Sequence, residues 1–144
     1  MSAAFWDDRY AASPRHLYGV EPSAFLTRQR HRLDRRQSVL AVADGEGRNG
    51  VWLAGQGLKV HAVDGSAVGL QKAMRLALDR GVNLRTTCAD LTDWAWPEGV
   101  YDAAVCIFLH LRPEHRRDVH RAMARALRPG GVLILEAFHP LMWI

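Results

Sequence analysis

The sequence predicts an α/β fold, a doubly wound and mainly parallel sheet with helices on both faces. Three observations carry this. Five short strand-like runs, at 39–43, 59–63, 83–88, 102–108 and 132–138, alternate with stretches of helical period. A glycine turn, Gly45–Gly47, follows the first run and opens straight into a helical stretch. An acid, Asp64, closes the second run, nineteen residues beyond Gly45. Right-handed crossovers then give the strand order 3-2-1-4-5, with the switch point between strands one and four.

Taken in order, residues 1–36 read as a helical segment laid over the sheet, and 37–144 as the core of one domain spanning 1–144. Phe5, Trp6, Tyr10, Tyr18 and Phe25 give the first segment too many large apolar groups for a disordered arm. A short helix is expected near 4–10, then turns at Ser13-Pro14, Gly19 and Glu21-Pro22. A second helix is expected over 23–33, with Ser23 as its N-cap. After strand one, a helix over 48–56 stops at Gly57. After strand two, Ser66 caps a helix over 67–80 that ends at Gly81, with Leu70, Ala73, Met74, Ala77 and Leu78 as its buried stripe. Strand four, DAAVCIF, is apolar through its middle, as in a strand covered on both faces. Pro113 begins a helix that runs to about 127, and Arg128-Pro129-Gly130-Gly131 turns into strand five.

Composition narrows the class. The chain has 144 residues, 49% of them apolar and 24% charged, which is the ordinary globular range. Its net charge of +4 invites a nucleic-acid reading. The densest basic group, at 28–36 (RQRHRLDRR), has no aromatic residues interleaved to stack on bases, so it reads as a solvated helix face. Cys88 and Cys106 fall in strands and are expected as reduced, buried small hydrophobes. No apolar run is long enough to span a membrane, and no secretory signal is seen, so the expected compartment is the cytoplasm. No histidines stand at metal-ligand spacing from cysteines or carboxylates.

The glycine turn carries the functional argument. Gly45-Glu-Gly47-Arg-Asn-Gly50 is literally G-x-G-x-x-G, and Asp64 sits where an acid accepts ribose hydroxyls. Such a turn also serves simply to let a helix pack closely. Asp90 ends strand three, placed to accept an adenine amino group while the Leu91 backbone meets a ring nitrogen; a plain loop aspartate is the alternative. Phe108-Leu109-His110-Leu111 ends strand four at the expected pocket mouth.

Six pieces in order resemble one family. They are FWDDRY with YGVEPSAFL, VLAVADGEGRNGVWLA, VHAVDGSAVGLQKA, ADL, YDAAVCIFLHL and LRPGGVLILEAF. Together they look like a class I S-adenosylmethionine-dependent methyltransferase, of the small kind related to tellurite-resistance and thiol methyltransferases. The resemblance implies a Rossmann-like fold with S-adenosyl-L-methionine as cofactor. It implies that Gly45 and Gly47 approach the methionine part, that Asp64 holds the ribose hydroxyls, and that Ala43, Gly65 and Ser66 also belong to the cofactor-binding set. Asp90 and Leu91 would read the adenine, and Phe108 would flank the sulfonium. Trp6, Arg9 and Tyr10 would close over the methionine end, with Arg9 a candidate for its carboxylate.

There are two departures. Many members carry an acid where Ala41 stands and a glycine where Ala43 stands; Asp44 and Glu46 are the nearby acids. The family fold also adds two strands after strand five, and this sequence ends at Ile144 without strands six and seven. Strand five would then be a long apolar edge, expected to be covered by a homodimer partner or strand exchange unless the chain is a fragment. The favoured acceptor is a small-molecule thiol or chalcogen, since a thiolate needs little base help. His110 and His139 are the candidate bases for an oxygen or nitrogen acceptor, with a structural role as the alternative for each. Two further functions stay open. One is a shortened or diverged module that binds the cofactor without turnover. The other is a nicotinamide-dependent oxidoreductase, supported only by the literal glycine motif.

Overall fold

The structure is a computed structural model that describes residues 2–139. The chain runs α1 (Ala3–Ala11), α2 (Ala24–Arg28), β1 (Ser38–Val42), α3 (Arg48–Gly55), β2 (Lys59–Asp64), α4 (Ala67–Asp79), β3 (Arg85–Cys88), β4 (Tyr101–Ile107), α5 (Pro113–Ala126) and β5 (Leu127–Glu136). The five strands form one sheet in the order β3-β2-β1-β4-β5, and every pairing is parallel.

The period of two along β1 explains why both faces are covered. Val39 and Ala41 face a cluster that includes Leu26, Leu53, Leu70 and Val105. Leu40 and Val42 face the opposite cluster, with Val119, Met123 and Ala126 of α5. Leu40, Leu53 and Met123 are fully buried. No helix among the described residues is long and apolar enough to cross a membrane.

Several elements differ from their sequence expectation. The helix expected over 23–33 stops at Arg28, and a 3-10 turn at Arg30–Arg32 follows. The Arg30 side chain bonds the Leu33 carbonyl and Gln56, while Leu33 turns extended and drops into the core. In α4 the buried set is Gly69, Leu70, Ala73, Leu76 and Ala77. Met74 and Leu78 are instead 53% and 80% exposed. On that buried face the missing Cβ of Gly69 makes room for the Tyr10 ring. Cys88 is exposed, not buried, because β3 is an edge strand and Cys88 is its last residue. Cys106, on central β4, is buried, and that burial pushes its thiol up to about 12.

β5 starts earlier than expected. Leu127 already pairs with Tyr101, and the Pro-Gly-Gly segment is an irregularity within the strand. Beyond it Ile134 is buried, whereas Leu133 and Leu135 are 40% and 37% exposed. Residues 140–144, which include the apolar Leu141–Ile144 tail noted in the sequence, lie outside the described residues.

Candidate functional site

Parallel pairing brings the ends of four strands to one rim. Val42 stands beside Val63 and Cys106, and Asp64 beside Cys88. The chain leaves β1 through left-handed backbone at Ala43 (φ 54°), Gly45 (φ 55°) and Gly47 (φ 86°). Gly47 is obligatory for two reasons. An L-residue there is strained, and a Cβ would lie 2.5 Å from the Ala73 Cβ and 2.9 Å from its Cα. The turn is therefore wedged against α4.

Asp44 turns inward from this loop. Both of its carboxylate oxygens accept from the Gly50 N–H, at 3.1 and 3.2 Å, closing the first turn of α3. Burial pushes its carboxyl up to about 7, against the lowering effect of that hydrogen bond. Asp64, at the tip of β2, accepts from the Gly45 N–H at 3.1 Å on one oxygen and from the Ser66 N–H at 2.9 Å on the other. Burial raises its pKa, and those two N–H groups lower it. Each oxygen keeps acceptor capacity beyond the bond it makes. Ser66, fully buried, caps α4 by accepting from the Gly69 N–H.

The N-terminal segment is fastened over this rim by polar contacts. Asp7 accepts from the Ser66 hydroxyl and from the Val68 N–H. Tyr10 is buried, its hydroxyl lying 2.7 Å from where a Gly45 Cβ would be. Burial, and next the Asp64 charge, hold the Tyr10 phenol above its usual range. Trp6 stacks on Tyr10 at 5.6 Å. Arg9 is exposed and lies over the Phe5 and Trp6 rings, at 5.6 and 5.7 Å. Further along, Lys72 pairs with Glu46 at 2.9 Å and also donates to the Ser13 and Arg15 carbonyls. Glu46 accepts from the Leu17 N–H as well. The Ser23 N–H donates to Asn49, and the Ser23 hydroxyl to Glu136 of β5.

The adenine and sulfonium candidates flank this part of the rim, the first after β3 and the second after β4. Asp90 is exposed and accepts from the Thr92 N–H and hydroxyl; the hydroxyl is the larger reason its pKa is lowered. Leu91 is buried, and its carbonyl accepts from the Trp96 indole at 3.0 Å. Phe108 leaves β4 in the left-handed region (φ 58°) and stacks on Phe138 at 4.6 Å. His110 stacks on Phe138 at 5.3 Å and accepts the Phe138 N–H on Nε2 at 3.1 Å. That bond takes up one ring nitrogen in holding the segment after β5.

Structure thus gathers Trp6, Tyr10, Ala43, Gly45, Gly47, Asp64, Gly65 and Ser66 at one place. Asp90 and Leu91 follow β3, and Phe108 and His110 follow β4, on the same rim but with β2 and β1 between them, while the Arg9 guanidinium lies on its own helix's aromatic rings. Sequence reasoning missed the Asp7, Lys72 and Asn49 contacts. None has a local signal, since each joins residues at least 26 positions apart.

Comparison with known proteins is consistent with this geometry. A family described as "Methyltransferase domain" matches residues 39–131. A glycine/sarcosine N-methyltransferase of Parasynechococcus marenigrum is 37% identical over 110 residues, covering 69% of this chain and 37% of that protein. A thiopurine S-methyltransferase of Bordetella parapertussis is 28% identical, covering 93% of this chain and 70% of that protein. Among solved structures, a complex of DhpI with SAH superposes with a TM-score of 0.72 at 26% identity, covering 94% of this chain and 67% of that one. A protein studied for converting a disulfide into a thioacetal during echinomycin biosynthesis gives a TM-score of 0.79 at 25% identity, covering 92% of this chain and 57% of that one. The chain belongs to the class I S-adenosylmethionine-dependent methyltransferase family. It spans 37% of the first of these relatives and 57% of the echinomycin-pathway structure.

Proposed function

We propose that this chain binds S-adenosylmethionine across the C-terminal tips of its strands and transfers the methyl group to a small-molecule acceptor, a thiol or chalcogen. The observation that carries the reading is Asp64. Its two oxygens are pinned at the tip of β2 by the Gly45 and Ser66 N–H groups, with acceptor capacity left over. A pair of ribose hydroxyls, two donors side by side, suits that arrangement. The backbone of Ala43, Gly45 and Gly47 would meet the methionine portion. Asp90 and Leu91 would meet the adenine, and Phe108 would lie beside the sulfonium.

When bound, the cofactor supplies an electrophilic methyl group on sulfur. The chain's own work is alignment and exclusion of water. Tyr10 and Trp6 close the methionine end, held there through the Asp7 contacts to Ser66 and Val68. A thiol acceptor suits this rim because a thiolate is already partly present near neutral pH and His110 is engaged by Phe138. The S-methyltransferase similarity, spanning 93% of this chain, supports the same acceptor class.

The test is a calorimetric titration with S-adenosylhomocysteine and with NAD, followed by turnover assays over thiols, selenite and tellurite. Binding of the first, none of the second, and methylation of a thiol or chalcogen is the expected result. Binding without turnover across the panel would favour a cofactor-binding module, and NAD binding would overturn the reading.

A further inference from the structure

The rim opposite the glycine turn holds a concave feature. A groove of about 660 Å³ runs under the N-terminal ends of the strands, a size in the range of small-molecule sites. Its walls are apolar, including Leu58, Val82 and Val100. Its charged lining side chains are Lys59, Arg85 and Arg128, and no carboxylate lines it. Arg128 is satisfied by Asp102 at 3.0 Å. Among the described residues, neither Lys59 nor Arg85 has a carboxylate within ion-pair distance.

The floor is neutral and rigid. His61 is buried, with one ring nitrogen on the Tyr101 hydroxyl at 2.6 Å and the other on the Thr87 hydroxyl at 2.7 Å. Burial, and next the Arg85 charge, hold His61 down to about 4, so it is an uncharged imidazole near neutral pH. Arg85 also acts on the Tyr101 phenol. Its cation therefore bears on the floor of the groove, not only on bulk water. Arg35 adds a further cation at the edge, its Nε 3.1 Å from where a Gly57 Cβ would be.

We infer that this groove is a binding site for a small organic anion, a phosphate or carboxylate carried on an apolar body. The anionic group would bridge Lys59 and Arg85 while the body lies against the aliphatic walls. Bare cations beside low-dielectric walls attract an anion more strongly than the same cations on an open surface. This inference stands apart from methyl transfer, since it concerns the other rim of the sheet.

The experiment is amide chemical-shift mapping of the whole chain with phenyl phosphate, and with inorganic phosphate as comparator. Saturable shifts at Lys59, Arg85 and Tyr101 are expected, with inorganic phosphate binding more weakly. The double reversal Lys59→Glu/Arg85→Glu should weaken phenyl phosphate about tenfold or more, as loss of two charge contacts requires. The milder Lys59→Gln/Arg85→Gln should give an intermediate loss. Affinity for S-adenosylhomocysteine should be unchanged in both variants. Absence of saturable shifts, equal affinity in the double reversal, or inorganic phosphate binding as tightly as phenyl phosphate would overturn the inference.

Discussion

At the scale of single residues, Asp64 joins architecture to ligand. Its carboxylate already organises the Gly45 and Ser66 N–H groups. Asp64→Ala should therefore weaken S-adenosylhomocysteine binding by roughly 2–4 kcal/mol, the value of two charge-assisted hydrogen bonds. Calorimetry checks this, and unchanged affinity would put the ribose elsewhere. Gly47→Ala tests packing instead. It combines a strained φ of 86° with a Cβ 2.5 Å from the Ala73 Cβ. A loss of about 2 kcal/mol or more is expected in denaturant unfolding. The role of Gly47 was legible as a turn glycine in the sequence, but its clash with Ala73 was not, because that contact depends on how α4 is rotated.

At the scale of elements, the N-terminal segment is held down by charge as well as by aromatic packing. Lys72 and Glu46 are nearly buried, with 15% and 4% of their side chains exposed. Lys72→Met would leave the Glu46 carboxylate unpaired and free the Ser13 and Arg15 carbonyls. The expected cost is about 3 kcal/mol, with faster hydrogen exchange over residues 13–17 than over β1. The sequence foretold that aromatic residues would bring this segment onto the sheet. It gave no sign of the Lys72 bolt, since Lys72 sits in an ordinary helical run. Strand existence and order were legible because alternation and the glycine turn are local signals. The early start of β5 was not, because a Pro-Gly-Gly sequence reads as a turn unless the neighbouring strand is known. Among the described residues β5 is an edge strand, and Leu133 and Leu135 are partly exposed. Pairing of that edge with a second copy is the expected outcome. Sedimentation should show a dimer that Leu133→Lys weakens, and a monomer at all concentrations would exclude it.

At the scale of the whole molecule, two buried groups give opposing pH dependences. Asp44 is raised from 3.8 to about 7 in the fold. Its contribution is fully present below pH 3.8 and is lost as pH rises towards 7. His61 is lowered from 6.5 to about 4, so its contribution is present above 6.5 and is lost as pH falls towards 4. Asp44→Asn keeps an acceptor for the Gly50 N–H. It should remove the first slope and raise stability at pH 8 relative to the parent. His61→Gln should remove the second slope and spare the first. Thermal unfolding across pH separates the two. Neither group stood out in the sequence as a titrating centre, because burial on a sheet rim is a property of the assembled layers.

The central claim is that the cofactor lies across the C-terminal tips of the strands, between the glycine turn and Asp64. Amide chemical-shift mapping with S-adenosylhomocysteine tests it most directly. The account predicts saturable shifts at Gly45, Gly47, Asp64, Ser66 and Leu91 that disappear in Asp64→Ala at the same ligand concentration. Shifts confined to Lys59, Arg85 and Tyr101 on the opposite rim would contradict it.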